Sequence, residues 1–399
     1  MRPYRSSQVV LACTVGNGVG MTPMVYTVFG LFLLPIAGEF HWPRSTVSIV
    51  LLIVAIAGAI GYPIVGRTID RHGSRIVILW GLVAFAAAVA GVSLINGSRL
   101  ELYVAYALIG ITGTIPSSVT FTKVIAGWFD RHRGLALGIV GGLGNGIGSA
   151  ISPLYAQSLI GRHGWRAGYV GLGAAIVCVG LPVLFLLLRD PPSRAAQGLV
   201  GSSTDATLAE ARAGRTFWLM LSAIALGAGC MTAVFAHVVP ILVDRGLGAQ
   251  RATLVLVTFS MVTAGWQVAV GSLLDRVPRP WVAAPFYGAG LIGLLLLAWS
   301  ASYPQLLAAG ALMGLGLGTE YGVLPYFLSR YYGLRHYGAI SGAVYGVIVL
   351  IQGVTPFLMD VVFDLTGSYR AAIVAICIGL ACGAILILRL PRFDIAMQR

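Results

Sequence analysis

Charged residues are scarce in this chain of 399 residues: they make up 10% of the sequence, against 58% hydrophobic residues. A water-soluble fold is excluded, because a globular surface needs roughly a quarter of its residues charged. Lysine is almost absent, since Lys123 is the only lysine among 26 basic residues. The chain is therefore predicted to lie in a lipid bilayer.

The charge balance is strongly basic, with a formal net charge of +13. In a soluble protein this excess would favour nucleic acid as a partner. Here the arginines fall in short loops between apolar runs, where they set the orientation of a membrane protein. We therefore expect a lipid bilayer and no nucleic acid among the partners.

Motifs for cofactors, metals and catalysis are missing from the sequence. There is no phosphate-binding loop, no HExxH and no GxSxG, and the five cysteines lie in apolar segments at spacings that form no metal or redox motif. We expect no cofactor, no metal site, no disulfide framework and no enzyme activity. The cysteines are interpreted as packing residues: Cys13, Cys178, Cys230, Cys377 and Cys382.

Long apolar runs dominate the chain. Twelve of them reach the length of about 20 residues that a membrane-spanning helix needs. The first continues to about Gly38, which is too long for a cleaved secretion signal. The runs lie near 9–38, 46–66, 76–96, 102–127, 135–160, 166–188, 216–243, 253–273, 281–301, 305–329, 339–362 and 370–389. An all-α membrane protein with twelve transmembrane helices is predicted.

The two halves of the chain repeat each other at an offset of 204 or 205 residues. The Asp70-Arg71 pair returns as Asp275-Arg276, and the WRA of 165–167 returns as YRA at 369–371. Such ordered echoes indicate duplication of a six-helix unit. We predict two pseudo-symmetric six-helix bundles, 1–190 and 215–399, joined by a cytoplasmic linker at 191–214 that ends in a short interfacial helix.

The distribution of arginine predicts the orientation. If the amino terminus is cytoplasmic, eighteen of the 26 basic residues fall on the cytoplasmic side, seven fall in outer loops, and Lys123 lies within a span. Short cytoplasmic loops carry the excess of Lys and Arg. Both termini are therefore predicted to be cytoplasmic, in a multi-pass protein of a bacterial-type inner membrane.

Several loop motifs give the sequence a specific resemblance. GRTIDRHGSR at 66–75, with its weaker echo LLDR at 273–276, resembles the loop signature of the major facilitator superfamily. The chain is also similar to the branch of monocarboxylate transporters and oxalate:formate antiporters, through EFHWPRSTVS at 39–48, WFDRHRGLALG at 128–138, GWRAGY at 164–169 and SRYYGLRHYG at 329–338. The likeness covers essentially the whole chain.

The resemblance implies transport of small carboxylates, with a proton or in exchange, by alternating access around a central cavity. It also implies a cation for the carboxylate, commonly an arginine four residues before the glycine of the second loop motif. In this chain Gln267 stands four residues before Gly271. Lys123 is then the available replacement for the missing arginine.

Glu320 is the acidic residue that we place deep in an apolar run of the second half. It lies ten residues before Arg330, roughly 15 Å from the cytoplasmic end at 1.5 Å per helical residue. An acid at that depth is costly unless it is paired, hydrated or protonated. We predict proton coupling at Glu320; the alternative is a protonated structural glutamate.

Lys123 is the predicted ligand for an organic anion. By the repeat offset its counterpart is Phe327, two helical turns beyond Glu320 on one face, so we expect Lys123 and Glu320 to meet the same cavity about 10 Å apart. The alternative is that Lys123, five residues before Trp128, extends to the interface as an anchor.

Uncharged polar side chains deep in the spans are candidates for orienting the substrate. Each alone is more often an interhelical hydrogen bond or a packing aromatic. The predicted substrate-binding set, besides Lys123, is Gln267, Asn145, Tyr26, Tyr321, Tyr326 and Tyr345. Asn17, His237, Trp266 and Gln352 are weaker candidates. His237 lies near the outer end, where a histidine can titrate, although a lone histidine is more often structural.

Charged residues in the predicted cytoplasmic turns are interpreted as gating residues, because acids and bases at helix ends can pair and favour one access state. They are Asp70, Arg71, Asp130, Arg131, Asp275 and Arg276.

The sequence thus favours a monomeric secondary transporter of a small organic anion, a monocarboxylate in the first instance. One alternative is a proton-coupled exporter of amphipathic or cationic compounds, in which Glu320 binds the cation. A more distant alternative is a non-transporting membrane sensor.

Overall fold

The computed structural model describes residues 3–129, 136, 138–190, 206–333 and 337–393, without the side chains of residues 3–5, 63, 66, 70, 126, 127, 275 and 337–339. Throughout these ranges the regular structure is helical, with no strand.

Fifteen α-helices follow one another along the described ranges. They are α1 (Pro3–Gly18), α2 (Phe29–Phe40), α3 (Arg44–His72), α4 (Ser74–Gly91), α5 (Arg99–Gly113), α6 (Ser118–Trp128), α7 (Asn145–Ala175), α8 (Leu181–Leu187), α9 (Leu208–Ala213), α10 (Arg215–Asp244), α11 (Ala249–Arg276), α12 (Ala284–Trp299), α13 (Tyr303–Tyr332), α14 (Tyr337–Thr366) and α15 (Arg370–Leu388). Three π-helical segments, Thr22–Tyr26, Ile139–Gly144 and Ile176–Gly180, lie within or between them.

Eleven helical runs in the described ranges are long and apolar enough to cross a membrane. One of them, Ile139–Leu187, has 49 residues, far more than the ~20 that a bilayer requires. It bends at Gly164, whose φ of 82° lies outside the helical region. The run therefore accounts for two crossings, which confirms the prediction of an all-α protein with twelve transmembrane helices.

Large apolar side chains cover the outside of the bundle. Trp80 is 74% exposed and Ile76 is 58% exposed on α4, and Ile60 is 62% exposed on α3. In water such a surface would be unfavourable, whereas lipid tails accept it. The outer surface thus fits a bilayer.

The fourth span differs from its repeat, the tenth. It is interrupted between α5 and α6, where Pro116 lies in a turn, while α13 runs unbroken from Tyr303 to Tyr332. A break of this kind changes the direction that the following residues face. Equivalent positions in the two halves therefore need not have equivalent surroundings.

The two halves meet along a seam formed by α2 with α10, α3 with α14, and α7 with α11. Glycines make these approaches close: a Cβ at Gly30 would collide with the carbonyl of Ala236, and one at Gly146 with the side chain of Ala264. Small residues at such positions allow membrane helices to pack tightly.

Most of the predicted linker, 191–205, lies outside the described residues. Its last part forms α9, which begins with a capping box between Thr207 and Glu210. The domain boundaries themselves remain a prediction.

Candidate functional site

Tyrosine hydroxyls from both halves come together at the seam. Tyr26, at the end of the first π-helical segment, interacts electrostatically with Tyr62 of α3 and with Tyr321 of α13. Tyr62 lies close to Ser117, and Tyr321 lies close to Gln352 of α14. We call these five residues the seam cluster.

The seam cluster unites two members of the predicted substrate-binding set, Tyr26 and Tyr321, with Gln352, a weaker candidate. Sequence reasoning missed Tyr62, because an aromatic residue in an apolar run has no feature that separates a binding role from packing. Hydroxyl and amide groups both donate and accept hydrogen bonds. A polar molecule between the halves could therefore contact both of them here.

Glu320 lies inside the carboxy-terminal half. It is 3% exposed, and a Cβ at Gly227 of α10 would collide with its carboxylate and with the ring of Tyr287 of α12. Both carboxylate oxygens are buried without a hydrogen-bond partner in the described part of the chain. In this conformation Glu320 thus packs against α10 and α12, within its own half.

Lys123 has a different environment. Its side chain is exposed on α6, whereas its repeat counterpart Phe327 is fully buried on α13. That Lys123 and Glu320 meet one cavity remains a prediction, but the repeat positions Lys123 and Phe327 have different surroundings. The reason is the break before α6, which the tenth span lacks.

Asn145 and Gln267 lie on the two helices that meet at the α7–α11 contact. The Oδ1 of Asn145 is buried without a hydrogen-bond partner among the described residues. Gln267 is partly buried, and its backbone lies close to Gly318 and Gly322 of α13. Their predicted role in orienting a substrate remains a prediction.

The other polar candidates are distributed more widely. The hydroxyl of Tyr326 donates to the carbonyl of Leu274 at 3.0 Å, and Tyr345 is 39% exposed on α14. Asn17 donates to the carbonyl of Val140 at 2.8 Å and accepts from Ser118 at 2.9 Å. Asn17 is thus an interhelical hydrogen-bonding residue.

Two of the predicted gating residues, Arg71 and Arg276, lie in the last turns of α3 and α11. Asp130 and Arg131 are outside the described residues, as are the side chains of Asp70 and Asp275. Arg71 and Arg276 are exposed. The gating role of these six residues remains a prediction.

An ion pair joins the halves at the opposite end, which we call the Arg44 end. The Arg44 guanidinium binds Asp244 through two contacts, Nη1 to Oδ2 at 2.6 Å and Nη2 to Oδ1 at 2.8 Å. Arg44 begins α3 and Asp244 ends α10, so the pair crosses the seam. Nη1 also donates to the hydroxyl of Tyr369 at 3.0 Å.

Asp364 of α14 adds a second contact across the seam. Its two carboxylate oxygens accept the backbone N–H groups of Arg44 and Ser45 at 3.0 and 2.8 Å. These are the first N–H groups of α3, which have no partner within their own helix and attract negative charge. We call Arg44, Asp244, Asp364 and Tyr369 the Arg44 latch.

The repeat explains why the latch was missed. Glu39 is the counterpart of Asp244 at an offset of 205, but it pairs within its own half, with Arg166 at 2.6 Å and the indole of Trp165 at 2.5 Å. The carboxylate of Asp244, by contrast, pairs with Arg44 across the seam. Sequence analysis counted Arg44 as an outer-loop charge, and nothing in the repeat indicated a partner in the other half.

A buried polar chain leads inward from the latch. The hydroxyl of Tyr369 donates to Oδ1 of Asp360 at 2.7 Å, and Oδ2 of Asp360 lies 2.9 Å from Nε2 of His237. Burial, followed by the nearby Asp360 carboxylate, raises the pKa of Tyr369 far above its ordinary value, so its hydroxyl stays protonated. His237 and Asp360 are both 0% exposed.

Asp360 is a second buried acid of the carboxy-terminal half, besides Glu320, and the sequence analysis did not select it. It lies six residues before the end of α14, and its burial was not evident from a position so close to a loop. His237, expected to be more often structural, is its partner.

Two six-helix halves, a polar cluster at their seam and a latch across one end are the features of a membrane carrier. The chain belongs to the Major Facilitator Superfamily, whose sequence profile matches residues 16–356 and 246–398. It is 28% identical to the uncharacterized MFS-type transporter YcxA of Bacillus subtilis (strain 168), over 94% of this chain and 92% of the relative. It is also 28% identical to monocarboxylate transporter 11 of Homo sapiens, over 88% of this chain and 76% of the relative.

Solved structures share the fold. A bacterial homolog of the human lysosomal transporter Spinster, in an inward-facing and occupied conformation, superposes with a TM-score of 0.69 at 18% identity, over 98% of this chain and 95% of that one. The predictions of the superfamily and its fold are confirmed. The chain is a multi-pass membrane transporter.

Proposed function

We propose that this transporter carries a small organic anion, a monocarboxylate, coupled to protons or to exchange. The observation on which the proposal depends is the seam cluster, whose hydroxyls come from both halves. A carboxylate accepts hydrogen bonds from such donors, and a ligand held by both halves can move with them between two access states. The similarity to monocarboxylate transporters supports the same substrate class.

Lys123 supplies the positive charge in this proposal. It is the only lysine in the chain, and its side chain is exposed on α6, in the half that also provides Tyr26 and Tyr62. An ammonium near the substrate path attracts a carboxylate and strengthens its hydrogen bonds. Gln267 and Asn145, with Tyr326 and Tyr345, complete the proposed binding set.

Glu320 is the proposed coupling site for the proton. A carboxylate sealed among apolar neighbours without a hydrogen-bond partner is far more stable when neutral. Movement of α10 or α12 away from it would admit water and allow the proton to leave. Proton exchange would then be linked to the conformational change.

We propose that both termini are cytoplasmic, in a bacterial-type inner membrane, and that the protein acts as a monomer. The excess of arginine in the loops predicted to lie on the same side as the two termini supports this orientation. The closed Arg44 end then faces outward. Neither a nucleic acid nor a cofactor takes part.

A thermal-shift screen of the purified protein tests the substrate class. A ligand at a hundred times its Kd stabilises the folded state by about 2.7 kcal/mol. We expect small monocarboxylates to raise the unfolding temperature more than dicarboxylates or lipophilic cations. Stabilisation by lipophilic cations alone would instead favour the cation exporter, with Glu320 as the cation ligand.

Conservative variants of the seam cluster locate the site. Tyr62→Phe and Tyr321→Phe each remove one hydroxyl, and each is expected to weaken monocarboxylate binding by about 0.5–1.5 kcal/mol. Tyr155→Phe is the matched control, because Tyr155 is 39% exposed and lies outside the cluster. Equal binding by all three variants would exclude the cluster as the site.

A further inference from the structure

His237 has a hydrogen-bond acceptor on each side of its ring. Nδ1 lies 2.8 Å from the carbonyl oxygen of Ala233, and Nε2 lies 2.9 Å from Oδ2 of Asp360. A carbonyl oxygen can only accept, so Nδ1 must carry a hydrogen. A neutral imidazole then has a lone pair at Nε2. That lone pair would face a carboxylate oxygen unless a proton lies between them.

The geometry therefore requires one shared proton between Nε2 and Oδ2. It resides either on His237, which gives an imidazolium and a carboxylate, or on Asp360, which gives two neutral groups. Both arrangements have zero net charge. Without the proton, an acceptor would face an acceptor, and a negative charge would remain in a site that is 0% exposed. Burying an unpaired charge is strongly unfavourable.

The shared proton is connected to the Arg44 latch through one hydroxyl. Tyr369 donates to Oδ1 of Asp360 and accepts from Nη1 of Arg44. The ring of Tyr369 also packs on His237, with the ring centroids 5.5 Å apart. A change in the position of Asp360 must therefore move the group that Arg44 binds.

We propose that His237 and Asp360 form a proton-binding site whose occupied state holds the Arg44 latch closed. Loss of the proton separates Asp360 from His237, displaces the Tyr369 hydroxyl and weakens the contact with Arg44. When Arg44 leaves, Asp360 gains a path to water at the Arg44 end. The proton can then be exchanged with that side of the membrane.

Several ionisable groups surround this site at the Arg44 end. The titratable and charged groups around His237 are Asp244 on its own helix α10, Arg44 on α3, Asp360 and Asp364 on α14, and Tyr369 in the turn after α14. Three further charged residues of this end bind elsewhere: Glu39 pairs with Arg166, Arg245 donates to the carbonyl of Ser300, and Arg251 lies over the ring of Tyr303. Arg370, next to Tyr369, is exposed. Protonation of Asp244 or Asp364 would open the latch as the pH falls, whereas proton loss from the His237–Asp360 site opens it as the pH rises.

Hydrogen exchange of the full chain in detergent or nanodiscs tests the proposal. The amides of Arg44 and Ser45 donate to Asp364 across the seam, so their protection reports directly on the latch. After correction for the chemical exchange rate, we expect protection in acid that falls as the pH rises, by up to about tenfold per pH unit, the limit for one proton. Protection that is constant, or that rises with pH, would overturn the proposal.

Asp360→Asn imitates the occupied site, because its amide donates to Nε2 while its carbonyl accepts from Tyr369. We expect these amides to stay protected at every pH. Tyr369→Phe breaks the connection and should give pH-independent exchange that is faster. If Asp360→Asn alone does not fold, the double variant His237→Gln/Asp360→Asn decides, since neither amide binds a proton, and its exchange should not depend on pH. A wild-type pH profile in Asp360→Asn or in the double variant would contradict the proposal.

Glu320→Gln separates this inference from the proposed function. Glu320 packs against Gly227 and Tyr287, away from the latch, so this variant should keep the wild-type pH profile of the Arg44 and Ser45 amides. If amide protection did not depend on pH in Glu320→Gln but kept the wild-type pH dependence in Asp360→Asn, the pH response would belong to Glu320. The proposed proton site at His237 and Asp360 would then be rejected.

Discussion

Arg44 and Asp244 form an ion pair that joins the two halves of the transporter at one end, through two N–O contacts of 2.6 and 2.8 Å. Both groups are partly withdrawn from solvent, with 15% and 31% of their side chains exposed. The guanidinium also lies 3.8 Å from the centre of the Phe363 ring. This combination of charge, hydrogen bonds and ring contact makes Arg44 the central residue of the closed end.

Arg44→Gln is expected to open the Arg44 end. Loss of about 1 kcal/mol of pairing changes the ratio of open to closed molecules roughly fivefold. Pulsed electron spin resonance measures this as a longer distance between labels at His41 and Leu365, two exposed positions in opposite halves. The labels are placed in a chain whose native cysteines are replaced.

Arg166→Gln is the matched control for Arg44→Gln. It breaks a pair of the same type at the same end, but within one half, and should leave the distance distribution unchanged. The exchange Arg44→Asp with Asp244→Arg should restore part of the closed population. Identical distances in Arg44→Gln and wild type would remove the latch from the account.

Lys123→Met is expected to raise the KM for the anion roughly tenfold to a hundredfold, because a hydrogen bond to a charged group contributes about 1.5–3 kcal/mol. Lys123→Arg keeps the charge and should retain most of the uptake. The measurement is the concentration dependence of uptake into proteoliposomes. An unchanged KM in Lys123→Met would favour the interpretation of this lysine as an interface anchor.

Glu320→Gln is expected to abolish uptake driven by a pH gradient while sparing folding, because glutamine has a similar shape and binds no proton. Exchange of labelled for unlabelled substrate should continue. The control is Glu101→Gln, which changes an exposed acid that accepts from the backbone of Asn96. Proton dependence equal to that of wild type would mean that the coupling site lies elsewhere.

Gly227→Ala tests the position of Glu320. The added methyl group would collide with the carboxylate of Glu320 and the ring of Tyr287, so we expect a loss of stability of about 1–3 kcal/mol. Gly288→Ala on α12 is the control, because its Cβ would meet nothing within 4 Å. A thermal unfolding midpoint equal to that of Gly288→Ala would place Glu320 in another orientation.

The twelve spans were predictable because a bilayer demands long apolar runs and the duplication repeats them. Side-chain surroundings were not, and Lys123 is the example. An offset of 204 residues equates it with Phe327, yet the break at Pro116 separates the two environments. A repeat predicts where a helix lies in the bundle more reliably than the direction its side chains face.

The seam was only partly predictable. Tyr26 and Tyr321 were selected as polar groups in apolar runs, but Tyr62 was not, because composition alone does not distinguish a tyrosine at a seam from one in a core. Arg44 and Asp360 were missed for a related reason. Their partners come from distant parts of the chain, and the packing of α14 against α3 and α10 brings them together.

Uptake of labelled monocarboxylate into proteoliposomes under an imposed pH gradient is the most direct test of the proposed function. The account predicts uptake that follows the proton gradient and that unlabelled monocarboxylates inhibit. This uptake should be lost in Glu320→Gln and should need a higher substrate concentration in Lys123→Met. Uptake that lipophilic cations inhibit and carboxylates do not, with full activity in Lys123→Met, would contradict it.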